Sequence, residues 1–574
     1  LTHRTQPFIS PKERRTSILL AIGTASAALL LLAKAWLNLR LNINWDEFYF
    51  LSKVHAHYRG ELATTFQTIH VQFFGWLLDA AQTEVNQIVL ARLALLALLA
   101  TNCFLVWKIA CNWMQRHIAT IAPVAHLSML PVAHHGASFR TDSIILPLIS
   151  LSILMLIGES RRRSSLIVSG LALGLAGAIS VKSAFVVPIL VAALLLGNKN
   201  GVKTVSGPVT KATFAVSALA FISLATFLTI IALHSLDLPR APNMGEHLSL
   251  YQQIVQAVDK TLVEPTLSPR SEFILPIIQA DTFYWLLFAV GLVFALAKRQ
   301  GLVACMGLAL FPVLLYRNAF PYYYVVMLST ASILVAYAVH SLTEQFGKTS
   351  NRLPRAMTLV AFAFFTLNGL SHIKKLSPKT LDGQRDILEA VHEIFPEPVG
   401  YVDHSGMVSS FPKMNPFMSS WGVENYHRAG IPFMPQAINR GVPLLLANRF
   451  PIDSDLRFLD RLLPEDQKMI LSSYVRYWGP IYVAGANLPS SPGQVSIPFP
   501  GEYRLESSHP VLMNGISVVP NQTFLAISTT IEVVPPEQED DATPARLVWA
   551  GARAPPQHSP PRDPLYVPLM TAFR

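Results

Sequence analysis

The chain has 574 residues, 51% of them hydrophobic and only 14% charged, with a mean hydropathy of +0.39. An ordinary soluble domain carries roughly a quarter charged residues, so this composition excludes a purely soluble protein and indicates a polytopic membrane protein with a soluble part attached. The formal net charge of +10 lies largely in short loops, where it sets topology rather than marking a nucleic-acid binder, and Cys103, Cys111 and Cys305 show no spacing suited to a disulfide framework or a zinc site.

The first apolar run, Ile18–Leu37, is too long for the core of a cleavable leader and has no small-residue cleavage site after it, so it reads as a retained span. Further apolar runs fall at Val89–Trp107, Ile118–Val132, Ile144–Ile157, Leu166–Ile179, Ala184–Leu196, Ala212–Leu233, Phe283–Leu296, Leu302–Leu315, Tyr322–Val339 and Ala356–Leu370. This predicts about eleven spans within residues 1–370, several shorter than the ~20 residues that cross a bilayer. With a cytoplasmic N-terminus, every cytoplasmic loop is basic, from Lys12-Glu13-Arg14-Arg15 to Lys348 with Arg352 and Arg355. That is the positive-inside pattern. The segments 38–87, 134–142 and 234–281 and everything from Ser371 onward then fall on the extracytoplasmic side.

The first of these segments opens with Asn44-Trp45-Asp46-Glu47-Phe48-Tyr49, which places two carboxylates at a membrane surface. Asn44 caps a helix starting at Trp45, and Glu47 at its third position completes a capping box, so Glu47 is either a cap or a second acid. Asp46 suits general-base work on a hydroxyl, although an acid in a first helical turn also complements the helix dipole. Asp46, Phe50, Lys53 and His57 share one face, while Phe48, Leu51, Val54 and Tyr58 form an apolar stripe suited to the bilayer interface. Lys53 on such a face is either a phosphate ligand or a snorkelling lysine. His70 leads a second short apolar stretch.

Later in the chain Asp142 either caps the helix that follows or acts as an acid, and Lys182 either anchors a helix end or meets a phosphate. His134-His135 give a poor metal signal, because adjacent side chains diverge. Arg317, beside Pro321-Tyr322-Tyr323-Tyr324, would grip a phosphate in bidentate fashion, as would Arg240 or Arg270, whereas the tyrosines also fit an interfacial belt. Residues 371–551 predict a soluble α/β or β-rich domain, with a helix over Leu381–Phe395, a strand over Pro398–Val402, and strand patterns in Gly501–Val519, Thr523–Val534 and Ala545–Gly551. Pro-rich residues 552–574 read as a flexible tail.

Taken together, Asp46-Glu47-x-Tyr49, His70, Arg140-Thr141-Asp142 and Lys182-Ser183 resemble, in order and on a common side, the GT-C superfamily of polyprenyl-phosphate-sugar glycosyltransferases. The likeness is to the branch of the protein O-mannosyltransferases and the lipid A aminoarabinose transferase. The chain departs from it at His70, where His-Val-Gln-Phe replaces a His-Pro-Pro-Leu-like stretch.

The resemblance implies an inverting transferase of the cell inner (plasma) membrane that moves a hexosyl or pentosyl group. The donor is a polyprenyl-phosphate sugar and the acceptor an envelope hydroxyl on a glycolipid, polysaccharide or protein. It implies Asp46 as base, Asp142 as a second acid, and Lys53, Arg140 or Lys182 on the donor phosphate, with Tyr49, His57, His70 and Tyr322 as substrate contacts. No nucleotide fold or organic cofactor is needed; a divalent cation is left open. A transporter, an O-antigen-ligase or polymerase-like protein and an envelope scaffold are the competing classes. Most charges sit at span ends, which argues against a transporter.

Overall fold

The structure is a computed structural model. It describes residues 11–62, 64–157, 163–196, 208–238, 251–253, 255, 270–316, 319–348, 352–418, 420–448, 457–535 and 545–561. All eleven apolar runs coincide with helical structure. Arg15–Asn38, Glu84–Ala110, Thr213–Asp237, Pro321–Gly347 and Leu353–Leu376 are long and apolar enough to cross a membrane. Ser271–Ala280 and Thr282–Ala297 meet at a 96° bend and count as a sixth crossing if taken together. Thr141–Ile157, Arg163–Ile179, Val181–Leu196 and Gly301–Leu314 are apolar but shorter, so among the described residues five helices, or six with the bent pair, reach spanning length, against about eleven apolar runs.

The run Ile118–Val132 is not one helix. It breaks into Arg116–Ala119, Ile121–Ser128 and Leu130–His135, because Met129 is extended and Pro131 starts a new helix in its first turn.

Pro321–Gly347 lies at the centre of the bundle, with 94% of its apolar window buried, against 11% for Thr213–Asp237. Buried polar side chains lace the helices together. Asn102 donates to Ser329 Oγ at 3.1 Å and accepts from Ser150 Oγ at 2.6 Å. At the 96° bend the buried Asp281 accepts from the Leu130 amide (3.0 Å) and Asn368 (2.8 Å), and pairs with His372 (2.9 Å). Each such bond removes an unpaired polar group from an apolar interior.

Leu353–Leu376 extends past residue 370 and leads through a short turn to the helix Asp382–Ile394. The strands that follow are β1 (Tyr401–Asp403), β2 (Leu444–Leu446), β3 (Tyr474–Trp478), β4 (Ile481–Asn487), β5 (Gly493–Ser496), β6 (Gly501–Glu506), β7 (Val511–Met513), β8 (Ile516–Val518), β9 (Thr523–Ala526), β10 (Thr530–Val534) and β11 (Arg546–Trp549). One sheet runs β1-β2-β4-β11-β6-β9, with β3 also on β4, and a second runs β5-β10-β7-β8. All pairings are antiparallel except β1 with β2.

The tail expected to be flexible is tied down as far as it is described. The Arg553 amide donates to Ile394 O (2.9 Å), Tyr477 Oη to Arg553 O (2.7 Å) and Trp478 Nε1 to His558 O (3.0 Å).

This C-terminal unit sits directly on the first loop. Leu381 N donates to Arg40 O and Asn42 N to Lys379 O, both at 2.8 Å. The Gln384 amide brackets Ile43, accepting from its N–H at 2.6 Å and donating to its carbonyl at 2.8 Å. Glu84, at the start of a long apolar helix, accepts from Ser410 Oγ at 2.6 Å and pairs with His392 at 3.1 Å.

Candidate active site

The helix Trp45–Tyr58 carries the two carboxylates, and its start follows from local chemistry. Asn44 Oδ1 accepts from the Asp46 amide (2.8 Å) while Glu47 Oε1 accepts from the Asn44 amide (3.1 Å), so the capping box forms. Phe48, Leu51 and Val54 are fully buried against protein, whereas Tyr58 is exposed. The stripe expected to lie on a bilayer therefore packs into the core, against the helices His70–Phe74 and Glu84–Ala110 and in one buried cluster with Met407 and Val408 of the C-terminal unit.

Glu47 serves architecture. Its carboxylate is buried and accepts from Arg92 Nη2 (2.6 Å), Arg92 Nε (2.8 Å) and the Phe139 amide (2.8 Å). Burial works against its charge, but Arg92 and these donors outweigh it and hold the carboxyl below its ordinary value. Arg92 also donates to the carbonyls of Asn38 (3.3 Å), Leu41 (2.7 Å) and Asn42 (3.0 Å). It thus ties the start of this helix to the turn 38–42, while Glu47 reaches the loop that carries Arg140 through the Phe139 amide. The residue-type reading missed Arg92, although a single arginine inside the run Val89–Trp107 was the available signal. Lys34, buried in the first helix, donates to Ala133 O (2.7 Å) and His134 O (3.0 Å) and fixes the same loop from below.

Asp46 and Asp142 are brought together through Arg140, and Lys182 extends the chain from Asp142. Arg140 Nη1 bonds Asp46 and Arg140 Nε reaches Asp142 Oδ2 at 3.3 Å. Lys182 Nζ meets Asp142 Oδ1 at 2.7 Å. Tyrosine rings underlie both cations: Arg140 lies 3.5 Å from the Tyr322 centroid and Lys182 lies 3.8 Å from that of Tyr323. Burial works against the charge on Arg140, but Asp46, Tyr322 and Asp142 more than offset it, so its pKa is raised. The Asp46 side chain keeps 24% of its surface exposed, whereas those of Arg140 and Asp142 keep 4% and 3%. The solvent-accessible end of this charge chain is therefore Asp46.

The other sequence candidates are placed around it. Lys53 points over the Tyr49 ring at 5.1 Å and has no carboxylate partner among the described residues. Tyr49 packs on Phe417 of the C-terminal unit, centroid to centroid 4.6 Å. His57 pairs with Asp237 at 3.3 Å, away from Asp46.

His70 is buried, donates to Phe50 O at 3.1 Å, and is held by that burial to a pKa of about 4. It supports the helix from behind as a neutral ring. Arg270 faces Glu272 (3.5 Å) and the Phe320 ring (4.8 Å), outside the Arg140–Lys182 cluster. Arg317 and Arg240 lie outside the described residues. The His134 and His135 rings stack at 4.0 Å, and among the described residues no group of three His, Cys, Asp or Glu side chains is arranged to hold a metal ion.

No protein-family model matches the chain, and no curated protein matches it in sequence. Solved structures do match. ArnT from Cupriavidus metallidurans bound to undecaprenyl phosphate superposes with a TM-score of 0.55 at 14% identity, over 82% of this chain and 98% of that one. The apo form of the same protein gives 0.55 at 13% identity, with the same coverage. At such identity the likeness speaks for architecture, and it spans both the helical bundle and the C-terminal unit: the chain has the GT-C fold.

Proposed function

We propose that this protein is a membrane glycosyltransferase that takes a sugar from a polyprenyl-phosphate donor and passes it to a hydroxyl of an envelope acceptor on the extracytoplasmic side. The observation that carries the reading is the chain Asp46–Arg140–Asp142–Lys182 laid over Tyr322 and Tyr323. Two buried cations, whose ion-pair partners among the described residues are carboxylates that an anion can displace, suit a phosphate. The undecaprenyl phosphate bound by the ArnT structure of the same fold supports that ligand class. The basic loops expected in the cytoplasm support the side.

In this mechanism the donor phosphate takes Arg140 and Lys182, which frees the Asp46 carboxylate. Asp46 accepts the proton of the acceptor hydroxyl as that oxygen bonds to the anomeric carbon. The bond from the anomeric carbon to the phosphate oxygen breaks, and its electron pair leaves on the polyprenyl phosphate, where Arg140 and Lys182 stabilise the developing charge. Attack opposite the leaving phosphate inverts the anomeric centre, as the resemblance implies.

The test is mass analysis of envelope glycoconjugates from cells carrying the wild type, Asp46→Asn or no protein. Asp46→Asn keeps the shape of the site and leaves Arg140 bound to Asp142, so the protein stays in the membrane while transfer falls by about 10²–10⁴-fold. Full transfer by Asp46→Asn would refute the assignment.

A further inference from the structure

One group of side chains is used by nothing described so far, and it lies on the other flank of Asp46. On a helix of 3.6 residues per turn, Phe50 sits about 40° to one side of Asp46, Tyr49 about 60° to the other, and Lys53 about 20° off and ~10 Å further along the axis. The Phe50 side faces the donor cluster, since the Arg140 guanidinium is 5.8 Å from the Phe50 ring. The Tyr49 side faces the C-terminal unit, where Phe417 meets Tyr49 at 4.6 Å with the rings tilted by 41°. Tyr49, Lys53 and Phe417 are all half-buried.

This flank is held in place from the C-terminal side. Asp403, at the end of β1, accepts from Lys413 Nζ and from the Gly406 and Met407 amides, each at 2.8 Å, and from Asn448 at 2.9 Å, which fixes the loop 404–418. The loop then runs along the catalytic helix. Ser409 Oγ donates to Phe48 O (3.3 Å), Arg59 donates to the carbonyls of Ser409 (3.2 Å) and Ser410 (3.0 Å), and His404 packs edge-on against Trp45 at 6.5 Å.

Resting on the glycosyltransferase reading, we infer that Tyr49, Phe417 and Lys53 form the acceptor subsite, and that the acceptor is a carbohydrate. In-line displacement requires the attacking hydroxyl to approach the anomeric carbon from the side opposite the phosphate. With the phosphate at Arg140 and Lys182, that side is the Tyr49 flank, and Asp46 lies between the two. A pair of aromatic faces matches the apolar C–H face of a sugar ring, and the three N–H donors of Lys53 match its oxygen substituents. The outer edge of β1 offers an extended peptide no free strand to pair with, because 412–414 already covers it: Tyr401 N bonds Pro412 O (3.1 Å) and Met414 N bonds Tyr401 O (2.9 Å). On this reading Lys53 serves the acceptor, whereas the resemblance implied a place for it on the donor phosphate.

Phe417→Ala and Phe417→Trp in the full-length protein test this. Two readouts are taken: the Kd of the purified protein for undecaprenyl phosphate, and the amount of glycosylated envelope product by mass spectrometry. Phe417→Ala should bind undecaprenyl phosphate within twofold of wild type while product falls at least tenfold, and Phe417→Trp should restore at least half of the product. Wild-type product from Phe417→Ala would overturn the inference. So would a parallel loss of undecaprenyl phosphate binding, a failure of Trp to rescue, or a product whose sugar sits on a polypeptide. Full transfer by Asp46→Asn would instead sink the glycosyltransferase reading beneath it, so the two failures are distinguishable.

Discussion

Arg92→Met is the sharpest test of how the site is held. The substitution keeps an unbranched apolar stem and removes the guanidinium with all its donors. Glu47 is left buried with two of its four donors, the amides of Phe139 and Asn44. The carbonyls of Asn38, Leu41 and Asn42 lose Arg92 as well. Removing one member of a buried, hydrogen-bonded ion pair costs about 3–5 kcal/mol, because the remaining charge is stranded away from water. The double variant Arg92→Met/Glu47→Gln no longer strands a charge, so it should recover part of the loss, with a coupling energy of about 1–3 kcal/mol. Denaturant and thermal unfolding of the detergent-purified protein, followed through tryptophan fluorescence, measures all four members of the cycle. Stability of Arg92→Met within about 0.5 kcal/mol of wild type, or strictly additive single effects, would refute the reasoning.

Two other perturbations act elsewhere. Lys182→Met removes one of the two cations facing the donor phosphate, worth about 1.5–3 kcal/mol as a charge-assisted bond, so the Kd for undecaprenyl phosphate should rise about 10–100-fold, with Lys182→Arg much milder; an unchanged Kd in a titration would count against that role. Burial works against the charge on His392, but the Glu84 carboxylate outweighs it and raises the imidazole pKa. A raised folded-state value stabilises most below the unfolded pKa of about 6.5 and fades as pH climbs through the folded value. Hydrogen exchange in the helix Asp382–Ile394, corrected for intrinsic rate, should therefore speed up between pH 6 and 8.5. His392→Phe should abolish that dependence, and its persistence in the variant would exclude the His392–Glu84 contact as the cause.

Much of the site is legible locally. The capping box at Asn44 and Glu47 depends on residues three apart, the short motifs at Asp46, Arg140 and Asp142 sit at helix starts that the sequence marks, and Lys182 follows a helix end. What joins them is long-range. The Arg140 bond to Asp46 spans 94 positions and the stacking of Arg140 on Tyr322 spans nearly 200, and no periodicity encodes either. Tyr322 was readable as a belt residue only because its partner could not be seen. The strand expected over Pro398–Val402 overlaps β1 at Tyr401 and Val402, whereas β2 and β4 escaped description because their residues are almost all buried and so lack alternation, unlike β10, whose inside-out pattern is visible in Thr530–Val534. Glu47, open between cap and acid in the sequence, sits in the capping box and on Arg92, and His70 is a buried ring on Phe50 O. A lone polar group in an apolar stretch marks burial, and burial alone does not distinguish a scaffold from a catalyst.

Lys34 carries a consequence for biosynthesis. Its ammonium finds its carbonyl partners only at Ala133 and His134, about a hundred residues later in the chain. Lys34 sits about one turn from the end of the apolar helix Arg15–Asn38, where the stem of an unpaired lysine lets its ammonium reach the bilayer surface. Until the segment around Ala133 has been made, that surface is where the charge can stay. Folding of this protein should accordingly draw Lys34 off the bilayer surface and onto the two carbonyls late, when that segment joins the first helix.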